Sequence, residues 1–179
     1  MTAPPFVSVA MNQNAPFANP EQLSMELEAR FRLIGETRMR DLPIYRPDLA
    51  VETIGFRAFG PWWAGVLVTP WFMNLVLFPR LPGAPALPPE GSDLQIDLAG
   101  RSERFLSSRD EELGAYLALS LASPMSGFPD QEAARASART AVAALLETHA
   151  GAPGQAAAQS ADPRPATDRR GFFRKLLGG

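Results

Sequence analysis

Cysteine is absent from the 179 residues. That removes disulfides, iron–sulfur clusters, thiolate zinc sites and cysteine nucleophiles together. Histidine occurs once, as His149, so a histidine-rich metal site or a histidine pair is excluded too. Of the 17 basic side chains only Lys175 is a lysine. No Gly-x-Ser-x-Gly elbow, phosphate-binding P-loop, dinucleotide-binding glycine motif or HExxH helix occurs. A net charge of −2 gives no electrostatic reason to expect nucleic acid.

What is plentiful is proline. Its 18 residues are about twice the ordinary share, which rules out a chain made only of long helices. Hydrophobic residues at 46% suffice for a core in one domain of ordinary size. The first 18 residues carry no charged side chain and are broken by Pro4, Pro5 and Pro16. They lack a basic region followed by an unbroken apolar one, so no secretory signal is expected; a disordered arm over residues 1–18 and a cytoplasmic protein are. The longest apolar run, PWWAGVLVTPWFMNLVLFP at residues 61–79, has 19 uncharged residues, near the lower limit for a membrane helix. Pro70 in its middle, the polar Thr69 and Asn74 and the three valines favour two buried strands bent at Pro70.

Asn19-Pro20-Glu21-Gln22 is a helix start, with Asn19 as cap, Pro20 in the first turn and Gln22 reaching back. Leu23, Leu27, Phe31 and Ile34 then mark one apolar face of a helix running to about Met39. Strands follow at 51–59, 62–69 and 71–78, the last two apolar on both faces and therefore central in a sheet. After a proline-rich loop at 79–93 come an alternating strand at 94–98, a short one at 103–107, an acidic turn at 108–112 and a strand at 116–121. Asp130 caps an alanine-rich helix over 131–149 with Ala134, Ala138, Ala141, Val142 and Leu145 on its apolar face. The fold class is α+β: a mostly antiparallel sheet packed with an N-terminal and a C-terminal helix.

Beyond the folded unit, 19–149, the alanine-, proline- and glycine-rich residues 150–167 cannot bury enough surface to order themselves and read as a linker. Residues 151–179 hold five basic and two acidic side chains, against 12 and 17 in residues 1–150. An acidic body therefore carries a short basic tail, 168–179.

No catalytic constellation emerges. Asp110, Glu111 and Glu112 are contiguous, so their side chains diverge, and a solvated turn is expected. His149 falls in the last turn of a helix, where a cation is mildly favoured. A binding protein is expected, not an enzyme, and neither metal nor cofactor.

Two segments, GVLVTPWFMNLVLFP at 65–79 and LGAYLALSLASPMSGFPDQEAARASA at 113–138, resemble the HybE-type assembly chaperones of [NiFe] hydrogenases. VETIGF before the first segment and the overall spacing fit as well, and the resemblance covers about residues 20–148. Leu119 stands where that family often has a cysteine. The resemblance implies a cytoplasmic, cofactor-free chaperone that holds the hydrogenase small-subunit precursor by its twin-arginine signal peptide. Such a chaperone delays export until the metal clusters are in place and the large subunit has docked. A reader of that signal needs carboxylates beside an apolar groove. The residues that would line it are Trp71, Phe72, Met73, Asn74, Tyr116, Met125, Phe128 and Asp130. Asn74 stands out, because a polar amide in an apolar strand needs a partner.

The tail itself, Asp168-Arg169-Arg170-Gly171-Phe172-Phe173-Arg174, resembles the twin-arginine consensus Ser/Thr-Arg-Arg-x-Phe-Leu-Lys, with Asp168 in place of the hydroxyl. Arg169, Arg170, Phe172 and Phe173 make it a mimic of the client. For the tail the alternatives are a basic amphipathic helix at a membrane surface, the one route by which a membrane would be touched, or an unstructured end without function. For the whole chain they are a peripheral membrane protein anchored by that tail or an enzyme acting through its carboxylates.

Overall fold

The computed structural model describes residues 17–80 and 84–146. The arm up to residue 16, His149, the linker and the tail lie outside the described residues. Six strands, β1 (Glu52–Phe59), β2 (Trp62–Val68), β3 (Met73–Pro79), β4 (Asp93–Leu98), β5 (Arg101–Asp110) and β6 (Gly114–Ala122), form one sheet in the order β1-β2-β3-β6-β5-β4. Every neighbouring pair is antiparallel. Helix α1 (Pro20–Ile34) packs on one face and α2 (Gln131–Leu146) on the other, the α+β arrangement expected from the sequence.

The start of α1 follows its sequence signals. The Asn19 side chain accepts the Gln22 N–H at 2.8 Å, Pro20 occupies the first turn, and Gln22 Oε1 accepts the Ala18 N–H. Leu23, Leu27 and Phe31 are buried beneath it. The α-helix stops at Ile34 rather than near Met39, and a π-helical turn, Gly35–Met39, takes its place. Phe17, expected in the arm, is packed instead. The Phe17 carbonyl accepts the Trp63 indole N–H at 3.0 Å and its ring meets Phe78 edge-on. The buried indole donor needs an acceptor, and the chain before the helix supplies one.

The apolar run at 61–79 is the β2–β3 hairpin, and no described helix is long and apolar enough to cross a membrane. Its tip is a closed turn, so β3 begins at Met73 and not at Trp71. Thr69 Oγ1 accepts the Phe72 N–H at 2.9 Å, and the Thr69 N–H donates to the Phe72 carbonyl at 2.8 Å. β5 is longer than its alternation suggests, because its last residues through Asp110 still pair with β6.

Alternate strand positions divide the core in two. Ala64, Val66, Val68, Met73, Leu75, Leu77, Phe105, Leu117, Leu119 and Leu121 form a closed apolar layer on the α2 side, and Leu119 fits there as an ordinary packing residue. Gly55, at φ +66°, lets α2 lie close on β1: a Cβ there would sit 2.9 Å from a Val142 methyl. Gln131 and Arg135 of α2 both hold Glu52, Arg135 in bidentate fashion at 2.8 and 2.9 Å. The rest of this face is closed by Met125, Phe128 and Leu87. The buried Ser107 hydroxyl there donates to the Pro88 carbonyl at 2.7 Å.

Candidate functional site

The other face is closed only in part. Val51, Trp63, Leu67, Val76 and Phe78 are buried with the apolar stripe of α1. Two strands further on, the same face carries Leu106, which is 46% exposed, together with half-buried Tyr116 and Ala118 and exposed Ser120. The register places these side by side: Val76 opposite Ala118, Ala118 opposite Leu106, Leu106 opposite Asp93. On one flank Tyr116 lies opposite Ser108 and stacks on Phe78 with ring centroids 4.8 Å apart. On the other flank Asn74 lies opposite Ser120. The small side chains of Ala118 and Ser120 make the floor of a trough between Tyr116, Leu106 and the Phe72 end of β3.

Carboxylates line the Tyr116 end. Asp110 and Glu112 both reach Arg30 of α1: Nε meets Asp110 Oδ2 at 2.9 Å and Nη1 meets Glu112 Oε1 at 3.0 Å. The backbone N–H groups of Glu112 and Leu113 also donate to Asp110. Burial pushes the Asp110 carboxyl upward, but these backbone donors and the Arg30 guanidinium outweigh it and hold its pKa below the ordinary value. The Tyr116 phenol is pushed up to about 12, first by burial and then by the negative charges of Asp110 and Glu90, so it stays neutral and can act as a hydrogen-bond donor. Asp93, beside Leu106, pairs with Arg104 at 3.2 Å. Among the described residues no cluster of three metal-ligating side chains occurs.

The residues singled out from sequence do not all meet. Phe72, Asn74 and Tyr116 share the α1 side. The Asn74 amide is half-buried and has no side-chain hydrogen bond among the described residues. Trp71 is on this side too, but buried and stacked between Phe31 and Tyr45. Met73, Met125 and Phe128 are buried in the core on the α2 side, because the pleat turns Met73 away from Asn74. The carbonyls of Met125 and Phe128 accept from Arg46 at 3.0 and 2.7 Å. Asp130 accepts the Ala133 N–H at 2.8 Å and caps α2. Arg169, Arg170, Phe172 and Phe173 lie outside the described residues.

The expected divergence of Asp110, Glu111 and Glu112 is corrected: β5 runs through Asp110, and two of the three carboxylates converge on Arg30. Sequence reasoning missed Arg30 and Leu106. For Leu106 a signal existed: Phe105 takes the inward position in RSERFLSSRD, so the leucine next to it must face outward. For Arg30 none did, since its partner is 80 residues away.

Residues 22–175 match the family described as "[NiFe]-hydrogenase assembly, chaperone, HybE". The chain is 41% identical over 155 residues to the hydrogenase expression/formation protein HupT of Azotobacter chroococcum, covering 86% of this chain and 95% of that one. It is 42% identical over 152 residues to the hydrogenase expression/formation protein HupJ of Bradyrhizobium diazoefficiens, covering 84% and 86%. The solution structure of HybE from Escherichia coli has the same fold, with a TM-score of 0.61 at 23% identity, covering 86% of this chain and 91% of that one.

Proposed function

The chain belongs to the HybE family of [NiFe]-hydrogenase assembly chaperones, and from that premise we propose that it holds the hydrogenase small-subunit precursor by its twin-arginine signal peptide. In this reading it acts in the cytoplasm, without catalysis or cofactor, and keeps the precursor from export until its clusters are inserted and the large subunit has docked. The observation that carries the reading is the half-open trough over β6 and β5, apolar along Leu106, Ala118 and Tyr116 and bordered by carboxylates at one end.

A twin-arginine signal presents two guanidinium groups and then an apolar stretch. The guanidinium groups can pair in bidentate fashion with carboxylates at the Tyr116 end: Glu90 and Glu111 are exposed there, as is most of Glu112. The apolar stretch then lies along Leu106 and Ala118 toward Phe72, where the Asn74 amide can bond the peptide backbone. Trp71, Met73, Met125 and Phe128 hold the fold beneath and behind this surface, and Asp130 caps α2.

Calorimetric titration with a small-subunit signal peptide tests the reading. Binding in the micromolar range is expected, falling at least tenfold when the arginine pair is replaced by two lysines, which lack the planar fork. Leu106→Asp should weaken binding to a similar degree while leaving the melting temperature within a few degrees. Equal binding of a precursor lacking its signal would overturn the reading.

A further inference from the structure

The region matched to the family does not end with the last described helix residue, Leu146, but runs on to Lys175, through most of the basic tail. The fold shows where the chain leaves for that tail. The first turns of α2 hold Glu52 at the start of β1, and Val142 lies over Gly55. The helix therefore runs along β1 toward Phe59. Phe59 pairs with Trp62 and Trp62 with Pro79, so this is the end of the sheet where Phe78 stacks on Tyr116 and where β5 finishes at Asp110. The chain thus departs at the carboxylate end of the trough, though from the opposite face.

The 21 residues between Leu146 and Asp168 have a root-mean-square span of about 25 Å as a flexible chain. Three strand spacings, about 15 Å, separate β1 from β6, so the tail can come round the sheet end. Charge favours that course, since the five basic side chains after residue 150 outnumber the two acidic ones while the rest of the chain is acidic. Arg169 and Arg170 precede Phe172 and Phe173, the order that suits carboxylates first and apolar floor next.

We propose that residues 168–179 occupy the trough over Leu106, Tyr116 and Ala118 of their own chain. Arg169 and Arg170 face the rim of Glu90, Glu111 and Glu112, and Phe172 and Phe173 cover the apolar floor. The occupied trough is the resting state that a signal peptide must displace. The regulatory meaning rests on the client reading above, but the contact itself does not.

The test compares the amide NMR shifts of the full chain with those of a chain ending at Thr167. Differences should concentrate at Leu106, Tyr116, Ala118 and Ser120 and be independent of protein concentration. Synthetic peptide 168–179 added to the shortened chain should restore them, and Arg169→Glu with Arg170→Glu should abolish them in the full chain. At roughly millimolar effective concentration, a tail that binds in trans at about 0.1 mM lowers the apparent affinity for a signal peptide about tenfold, and truncation should recover that factor. Identical spectra for the two chains would overturn the proposal. So would shifts that grow with concentration, which would seat a second copy in the trough, or a tail that binds anionic vesicles and leaves these four amides unmoved. Shift differences without any change in signal-peptide affinity would uphold the tail contact and count against the trough as the client's seat.

Discussion

On the α2 side of the sheet Met73, Leu75, Leu77, Leu117, Leu119 and Leu121 are all buried, none more than 7% exposed. On the α1 side the same two strands bury Val76 and Phe78 but leave Asn74, Tyr116 and Ala118 half-buried and Ser120 exposed. Strand composition and pleat are shared, so the difference comes from what lies above. α2, Met125, Phe128 and Leu87 together close one face, whereas the buried stripe of α1 packs with β2 and β3 on the other and Leu106 remains accessible. Among the described residues one side of the sheet is therefore closed, and part of the other is left uncovered.

Adjacent positions on β5 give the sharpest way to break this comparison. Phe105→Ala should cost about 3–5 kcal/mol in urea unfolding, as a fully buried aromatic lost from a close-packed layer. Leu106→Ala, on the open side, should stay within about 0.5 kcal/mol. Similar losses at both positions in a chain ending at Thr167, which lacks the tail, would mean that the folded body itself closes the trough.

Trp71 and Phe72 make a second, smaller contrast on the α1 side. Trp71→Ala should lose about 3 kcal/mol or more, because the indole is buried between Phe31 and Tyr45. Phe72→Ala should lose roughly half as much, its ring being only partly buried. Ile96→Ala, on the closed face, is the control at about 2–5 kcal/mol. A Phe72 loss equal to that of Trp71 would make Phe72 a core residue.

Acid provides the smallest expected effect. The Asp110 carboxyl is held below its ordinary pKa in the folded chain, so its contribution is present above the ordinary carboxylate range, about pH 4. It is lost as the pH falls through the depressed value and the carboxyl protonates. The urea midpoint of the native chain should fall over that window by more than that of Asp110→Asn, which has no such proton to gain. Parallel pH profiles would show that the Arg30 tie adds nothing to stability.

Much of the fold was legible along the chain because local chemistry wrote it there. The Asn19 cap, the stripe of Leu23, Leu27 and Phe31, the alternation of Leu94, Ile96 and Leu98 and the small-residue face of α2 each follow from nearest-neighbour spacing. The candidate site was legible only in part. Phe72, Asn74 and Tyr116, groove residues by their sequence pattern, share one side. Met73, Met125 and Phe128 carry the same pattern and are buried on the other, since a hydrophobic side chain gives the same signal whether it lines a groove or fills a core.

By itself, the sequence determined the α+β class, the order of the elements, the absence of thiol chemistry and, through two long segments, the resemblance to an assembly chaperone. These rest on residue identity and on contacts between near neighbours. Tertiary structure decided which side of each strand is covered, that Arg30 reaches Asp110 across 80 positions, and that the β2–β3 tip turns at Thr69 and leaves Trp71 inside. Those outcomes depend on where distant elements come to rest on the sheet. No periodicity within a single segment encodes that placement, because the energy of covering a face belongs to the pair of surfaces and not to either one alone.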